Sequence, residues 1–383
     1  MAAAVLKDAA DILIVDQKKK PGRKFLVAGD GGLNITHSEE LNSFLSRYDS
    51  GYIRSCVRDF TPDALRNWLS SIGIETITGS SGKIFPADHY KPVDVLNAIT
   101  DSVSSPNVEW KMGTHLVDFT DAEVILDSGS AQTAIKFDFL ILAAGGGSWS
   151  VTGSEGKWLN LLESKGLKCS GFQSSNAGIE LRNTDCCKRF EGSILKNVIL
   201  RTDRQQTSGD LTITSYGLEG KPAYAANHAV RQSTDLLIDF KPQLTEEEIA
   251  EKLNGVPVRK GFQQLKLPDS VYHLLRENTS KEDFVSPGRL AALLKSFPIP
   301  YKGLRPVEEA ISTVGGLDLS EIDETGELKR FPKVFCAGEM LNWDAPTGGY
   351  LLQGCFSSGR KAGMEILGRI AGNSEHRKTI LSV

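Results

Sequence analysis

Apolar residues fall along this chain in short runs, each closed by small or acidic residues. Ile12-Leu13-Ile14-Val15 stops at Asp16. A second run begins near Phe137 and passes through Leu140-Ile141-Leu142 to Ala143-Ala144-Gly145-Gly146. A third, Val334-Phe335-Cys336, closes on Ala337-Gly338-Glu339-Met340. Short unbroken apolar runs bounded by turn residues read as strands covered on both faces, as in a parallel sheet. Residues 1–10 read as the tail of a helix, because Met1 to Leu6 are good helix formers. From 173 to 243 the pattern changes to short β runs between Gly, Asp and Ser turns, such as Ser193–Leu200 and Leu211–Thr214, which suggests a small β domain. From 244 to 304 the signals are helical. Thr245 before Glu246-Glu247-Glu248 is an N-cap with an acidic first turn, and Ser286-Pro287 opens another helix. The pattern therefore predicts an α/β protein with parallel-sheet strands towards both ends of the chain. Between these strands lie a β domain, 173–243, and a helical subdomain with its return, 244–304. The helical piece is expected to cap the site, and the end, His376-Arg377-Lys378, to be a frayed tail.

The third run also carries candidate chemistry. Beyond Asp344 it leads into Thr347-Gly348-Gly349-Tyr350-Leu351-Leu352-Gln353, a small-residue turn and a helix start. Such a turn lets backbone approach a flat, anionic cofactor, and the helix N-terminus offers it free N–H groups. An ordinary βα turn has the same look, so other residues must decide. Asp16 ends its strand where a dinucleotide fold keeps its ribose acceptor, roughly 20 residues after a GxGxxG turn. Met1 lies only 15 residues before Asp16, and no GxGxxG occurs in the sequence. The first strand and glycine loop, about a dozen residues, are therefore expected upstream of Met1. The alternative is that residues 1–16 are an unrelated helix–strand pair.

Composition narrows the classes. A net charge of −4 over 383 residues implies no broad basic surface, so nucleic acid is not the expected partner; Lys18-Lys19-Lys20 with Arg23 and Lys24 is a local basic run. The six cysteines form no CxxC pair, and the six histidines form no HExxH. No metal site and no redox dithiol are expected, and free thiols fit a reducing, cytoplasmic setting. No apolar run is long enough to span a membrane, and the start is not a secretory signal.

Longer stretches carry a family resemblance. Gly22-Arg23-Lys24 with Ala28-Gly29-Asp30-Gly31-Gly32-Leu33-Asn34-Ile35-Thr36-His37-Ser38 resembles the GRK…(S/A)GxGxxN segment of HI0933-like flavoproteins, in the branch with GGLNxTHSE. Ser81-Gly82-Lys83-Ile84-Phe85-Pro86 is similar to the family's SGRVFP. The strand end at Ala143–Gly146, with Ser148-Trp149 and Thr152-Gly153-Ser154, resembles its second glycine motif. Tyr216-Gly217-Leu218-Glu219-Gly220 resembles a turn of its inserted domain. Ala310–Gly316 and the third run resemble its C-terminal flavin segment. The matches run in order over nearly the whole chain.

The resemblance implies a two-dinucleotide-binding-domain-type, FAD-binding Rossmann-like domain, discontinuous over 1–172 and 305–383, with an inserted β domain and a small helical subdomain. If the family's opening strand and GxGxxG loop are lacking, the sheet loses a central strand and FAD its phosphate cradle. Asp16 would hold the ribose. Gly22, Arg23 and Lys24 would lie near the pyrophosphate, a solvated turn being the alternative account of the two cations. Ala28, Gly29, Gly31, Gly32 and Leu33 would carry backbone past the flavin. Asn34 would either hydrogen-bond the flavin or ribityl chain, or cap a helix starting near Thr36. Val117 would read adenine through its backbone, edge-strand packing being the plainer account. Ala143, Ala144, Gly145 and Gly338 would permit close approach, and Glu339 or Asp344 would bind ribityl hydroxyls. Gly348, Gly349, Tyr350 and Leu351 would aim a helix N-terminus at the flavin N1/C2=O end, favouring the anionic reduced form.

The activity implied is that of an FAD-dependent oxidoreductase. NAD(P)H would be a transient reductant and an unsaturated or carbonyl small molecule the hydride acceptor. No catalytic residue stands out: Tyr350, His37 and Tyr216 are conceivable proton donors, each more readily structural. The alternative is a non-enzymatic or cofactor-impaired relative acting as a binding module. Related folds include RNA-modifying flavoproteins, against which the acidic balance argues. No pattern specifies an oligomeric state.

Overall fold

The three apolar runs become strands of one five-stranded sheet. In chain order its members are β1 (Ala10–Asp16), β2 (Val108–Met112), β3 (Phe139–Leu142), β4 (Val334–Cys336) and β5 (Lys378–Ser382). They lie in the order β4-β3-β5-β1-β2, and every pairing is parallel. All residues of β3 and β4 are buried, as a strand covered on both faces requires. The structure, a computed structural model, describes residues 1–29, 32–372 and 378–383.

The far end of the chain departs from the sequence expectation. Lys378 opens a central strand, not a frayed tail; His376 and Arg377 lie outside the described residues. β5 pairs with β1 from Ala10↔Lys378 to Ile14↔Ser382, and with β3 from Phe139↔Ile380 to Ile141↔Ser382. Ile380 and Leu381 are buried. A dinucleotide fold orders its strands 3-2-1-4-5, with the acidic residue ending strand 2. Here β2-β1-β5-β3-β4 reproduces that order, with Asp16 ending β1 and β5 in position 1. The expected loss of a central strand is therefore corrected: residues from the other end of the chain fill the slot.

Four helices position the strand edge: α1 (Ala2–Leu6), α2 (Arg23–Ala28), α3 (Pro92–Ser102) and the 22-residue α4 (Tyr350–Ala371). α4 buries glycines where neighbours come close. A Cβ on Gly363 would lie 2.9 Å from Ala2 Cα, and one on Gly354 would lie 2.7 Å from the Trp343 ring. The segment after Asn34 is also corrected. Thr36–His37 is a short strand paired antiparallel with Lys83–Pro86, so two of the family-like motifs lie side by side. The helix begins only at Leu41, and its cap is Glu40, whose carboxylate accepts the Asn42 and Ser43 N–H groups.

The chain divides into two compact units, residues 1–173 with 313–383, and residues 174–312. The second holds a seven-stranded sheet that includes Ile194–Arg201 and Gln206–Thr214. Its helices Glu246–Leu253 and Pro287–Lys295 start at Thr245, which forms a capping box with Glu248, and at Ser286, which accepts the Arg289 N–H. The β and helical parts share one core, in which Leu200, Ile213 and Ile238 join Ile249, Leu275 and Leu290. Among the described residues, no helix is long and apolar enough to cross a membrane.

Candidate functional site

Five parallel strands put their carboxyl ends on one edge, where open α/β sheets receive ligands. Asp16 ends β1, Ala143-Ala144-Gly145 follow β3, and Gly338-Glu339 follow β4. Ala143 is exposed, and Ala144 and Gly145 are half-buried, so this end is open as well as small. Gly145 and Gly338 have φ of +75° and +80°, where glycine is favoured. Asp16 accepts the Lys18 N–H at 2.8 Å. Burial raises its carboxyl above the ordinary value, against the lowering effect of that bond and of the Lys18 charge.

An ion pair joins two of the sequence candidates at this edge. Lys24 Nζ lies 2.8 Å from Glu339 Oε2 and donates to Ser148 Oγ at 2.9 Å. Glu339 Oε1 accepts the Thr313 N–H at 3.3 Å. Arg23, its neighbour on α2, is exposed. Asp344 is spent differently: its carboxylate accepts the Ala345 N–H, and its own N–H donates to Asp49. Glu339 is therefore the ribityl candidate that the structure joins to Lys24.

Several small residues have a packing reason the sequence did not disclose. A Cβ on Gly22 would lie 2.5 Å from Leu96, and one on Gly29 would lie 2.5 Å from Pro92; both neighbours belong to α3. Ala28 ends α2, and Gly31 lies outside the described residues. Gly32 is exposed with φ +122°, and Leu33 is buried. Val117 sits in His115–Phe119, an edge strand of a separate three-stranded sheet.

Asn34 carries the most telling polar atom. Its Oδ1 is buried and has no hydrogen-bond partner among the described residues. Buried polar atoms are almost always paired, so an orphan asks for a ligand.

The segment that follows is locked to the start of α4. A Cβ on Gly349, which has φ +91°, would lie 2.4 Å from Thr36 Cα, so only glycine fits. Thr36 Oγ1 donates to Gln353 Oε1 at 2.8 Å, with both residues buried. Gln353 Nε2 donates in turn to Phe60 O at 2.8 Å and to Ser357 Oγ at 3.1 Å. Tyr350 Oη donates to Glu39 Oε1 at 2.5 Å, and the Arg47 guanidinium grips both Glu39 oxygens at 3.1 and 2.8 Å. Tyr48 Oη donates to Tyr350 O at 2.7 Å. His37 stacks on the Tyr350 ring at 5.6 Å and 20°. Gly348 has φ +119° and Leu351 is half-buried.

The three conceivable proton donors each have their polar atoms committed. His37 Nδ1 accepts the Glu39 N–H, which leaves the ring proton of the neutral form on Nε2, facing Ser81 O at 3.0 Å. Burial and the Glu39 carboxylate raise the Tyr350 phenol well above its ordinary value. Tyr216, in the second unit, donates to Glu219, and burial with that carboxylate raises it likewise. Sequence reasoning did not single out Thr36, Glu39, Gln353, Ser148 or Thr313. Their signal is faint: Thr36 and Glu39 sit in the same THSE stretch as His37, but nothing local says what they face. A concavity of about 770 Å³ lined by Trp68, Tyr90, Asp94 and Asp101 contains none of the candidate residues.

Comparisons with known proteins give the family and the fold. A family model described as the HI0933-like protein Rossmann domain matches residues 1–365. The 3-dehydro-bile acid delta(4,6)-reductase of Clostridium scindens is 22% identical over 391 residues, 95% of this chain and 94% of that protein. The ribosomal RNA dihydrouridine synthase of Escherichia coli is 21% identical over 361 residues, 91% of this chain and 90% of that protein. Among solved structures, a quinol-fumarate reductase with menaquinol molecules aligns at a TM-score of 0.51 and 14% identity, covering 99% of this chain and 70% of that one. That last likeness concerns the fold alone.

Proposed function

The chain belongs to the HI0933-like Rossmann-domain family, and from that premise we propose that it is an FAD-dependent oxidoreductase. One observation carries the reading: the partnerless Asn34 Oδ1, on the segment packed against the start of α4. An amide oxygen there suits a flavin ring N–H or a ribityl hydroxyl. Glu339 and Lys24 suit the ribityl and phosphate groups, and Asp16 suits the adenosine ribose. When bound, FAD supplies two-electron hydride chemistry that no side chain of this protein offers. The chain's own part is to bind and orient. Open small residues at Ala143–Gly145 admit a flat ring, Lys24 offsets anionic charge, and the α4 N-terminus presents N–H groups that have no partner within the helix.

We assign NAD(P)H as the transient reductant and an unsaturated or carbonyl small molecule as the acceptor. The names of the two relatives, a delta(4,6)-reductase and a dihydrouridine synthase, both describe hydrogen added to unsaturated carbon. The net charge of −4 favours a small molecule over RNA for this chain.

A second reading, flavin binding without turnover, is favoured by β5. In a dinucleotide fold the strand of position 1 runs into the phosphate-holding turn and then a helix. Here the strand of that position, β5, comes after α4 in the chain, a departure from that order. The visible spectrum of the protein with and without added FAD tests both readings. Bound flavin bands that bleach anaerobically with NADH or NADPH support the oxidoreductase. Bands that neither nucleotide bleaches support the module, and the absence of bands sinks both.

A further inference from the structure

We propose that Glu39 and Gln353 are positioning residues that set the N-terminus of α4, and so tune the reduction potential of the flavin. The proposal rests on the FAD reading above. Neither residue is assigned a part by the flavin-site pattern; both follow from contacts seen only in the folded chain.

The argument begins with what a helix N-terminus needs in order to act on charge. Its field is short-ranged and falls off within the first turn, so a small displacement removes much of it. The start of α4 has no side-chain cap of its own, since its N-cap is Gly349 in the left-handed region. Two side chains of its first turn are held from outside instead. Tyr350 is held through its hydroxyl by Glu39, and Gln353 through its amide oxygen by Thr36. Each anchor is itself anchored. Arg47 fixes the Glu39 carboxylate with two bonds, and the Gln353 amide nitrogen is fixed on Phe60 O and Ser357 Oγ. Both clamps grip the segment that carries Asn34, so one set of bonds registers an orphan acceptor and a helix dipole against each other. A pre-organised dipole is worth most where it cannot relax.

The proposal has a sign that separates it from a plain charge effect. If Glu39 acted by its charge alone, removing it would stabilise the anionic reduced flavin, and both Glu39→Ala and Glu39→Gln would raise the potential. As a positioning residue, Glu39→Ala releases Tyr350 and lowers the potential. Glu39→Gln keeps an acceptor oxygen for the tyrosine and does not lower it.

The experiment measures the midpoint potential of bound FAD in the wild type, Glu39→Ala, Glu39→Gln, Tyr350→Phe and Gln353→Leu. Alongside it, amide hydrogen exchange at residues 353–356, the first N–H groups bonded within α4 beginning with Gln353 N–H to Gly349 O, is followed in the FAD-free chains. The expected result is a three- to tenfold lower ratio of reduced to oxidised flavin at fixed poise in Glu39→Ala, Tyr350→Phe and Gln353→Leu. Tenfold corresponds to about 30 mV for a two-electron couple. Faster exchange confined to these first bonded amides of α4 should accompany it, and Glu39→Gln should show neither change. Bound flavin with an unchanged or raised potential in Glu39→Ala and Tyr350→Phe overturns the inference and leaves the FAD reading intact. A wild type that takes up no FAD overturns the FAD reading, and with it the inference. Should Gln353→Leu fail to fold, Tyr350→Phe, which removes a single oxygen, carries the test.

Discussion

Asn34 and Glu339 differ in what the folded chain does with their oxygens. Glu339 is satisfied by Lys24 and the Thr313 N–H, whereas Asn34 Oδ1 is buried and left over. Asn34→Ala should therefore weaken FAD binding about tenfold, the worth of one hydrogen bond of about 1.4 kcal/mol. The FAD-free chain should lose little stability, because that oxygen has no partner among the described residues. Fluorescence titration and a thermal melt of the same sample check both halves. Glu39 offers a pH test. Burial pushes its carboxyl up, but the Arg47 and Tyr350 hydrogen bonds and the Arg47 and His37 charges pull harder, and the net shift is downward. A depressed folded value means its stabilisation is present above the unfolded value of about 4.3 and is lost as pH falls through the folded value. Urea unfolding between about pH 5 and pH 3 should show a shallower loss of stability in Glu39→Gln than in the wild type.

At the scale of elements, β5 is the decisive piece. It contributes two side chains, Ile380 and Leu381, to the buried faces of the sheet and bonds to strands on both sides. Leu381→Ala should cost about 2–5 kcal/mol in chemical denaturation, as a truncation at a fully buried site does. Val93→Ala, at an exposed position of α3, should cost little by the same assay. The sequence around β5, Lys378-Thr379-Ile380-Leu381-Ser382, has only two adjacent apolar residues and reads as a tail. Its strand character comes from the open backbone groups of β1 and β3 on either side, which no local pattern can report. The stretch after Asn34 departs from its local pattern for a related reason. Asn34 and Thr36 are good caps by type, but Thr36 is taken by the pairing with Ile84, and the cap falls to Glu40.

For the whole molecule, two units with separate cores predict separate unfolding. The core residues of 174–312 form one cluster, and none of them belongs to the clusters of the other unit. Differential scanning calorimetry should resolve two transitions. Leu275→Ala, at a fully buried position, should lower one of them, and Leu381→Ala the other. A single transition lowered by both variants would contradict two independent cores.

The sequence by itself determined the class of the molecule and its family. Buried strands need unbroken apolar runs, turns at strand ends need glycine, and both requirements are local, so Ile12–Val15, Leu140–Leu142 and Val334–Cys336 announce themselves. The ordered motifs at Gly22–Ser38 and Gly348–Gln353 likewise carried the family. Tertiary structure decided what lies opposite what. It put residues 378–382 in the centre of the sheet, turned Gly22 and Gly29 against α3, joined Lys24 to Glu339 across the strand ends, and clamped Thr36 and Glu39 to α4. These facts depend on partners more than a hundred residues away or on neighbouring surfaces. A linear pattern records which side chains have a use for a partner, and the folded chain alone settles which partner each receives.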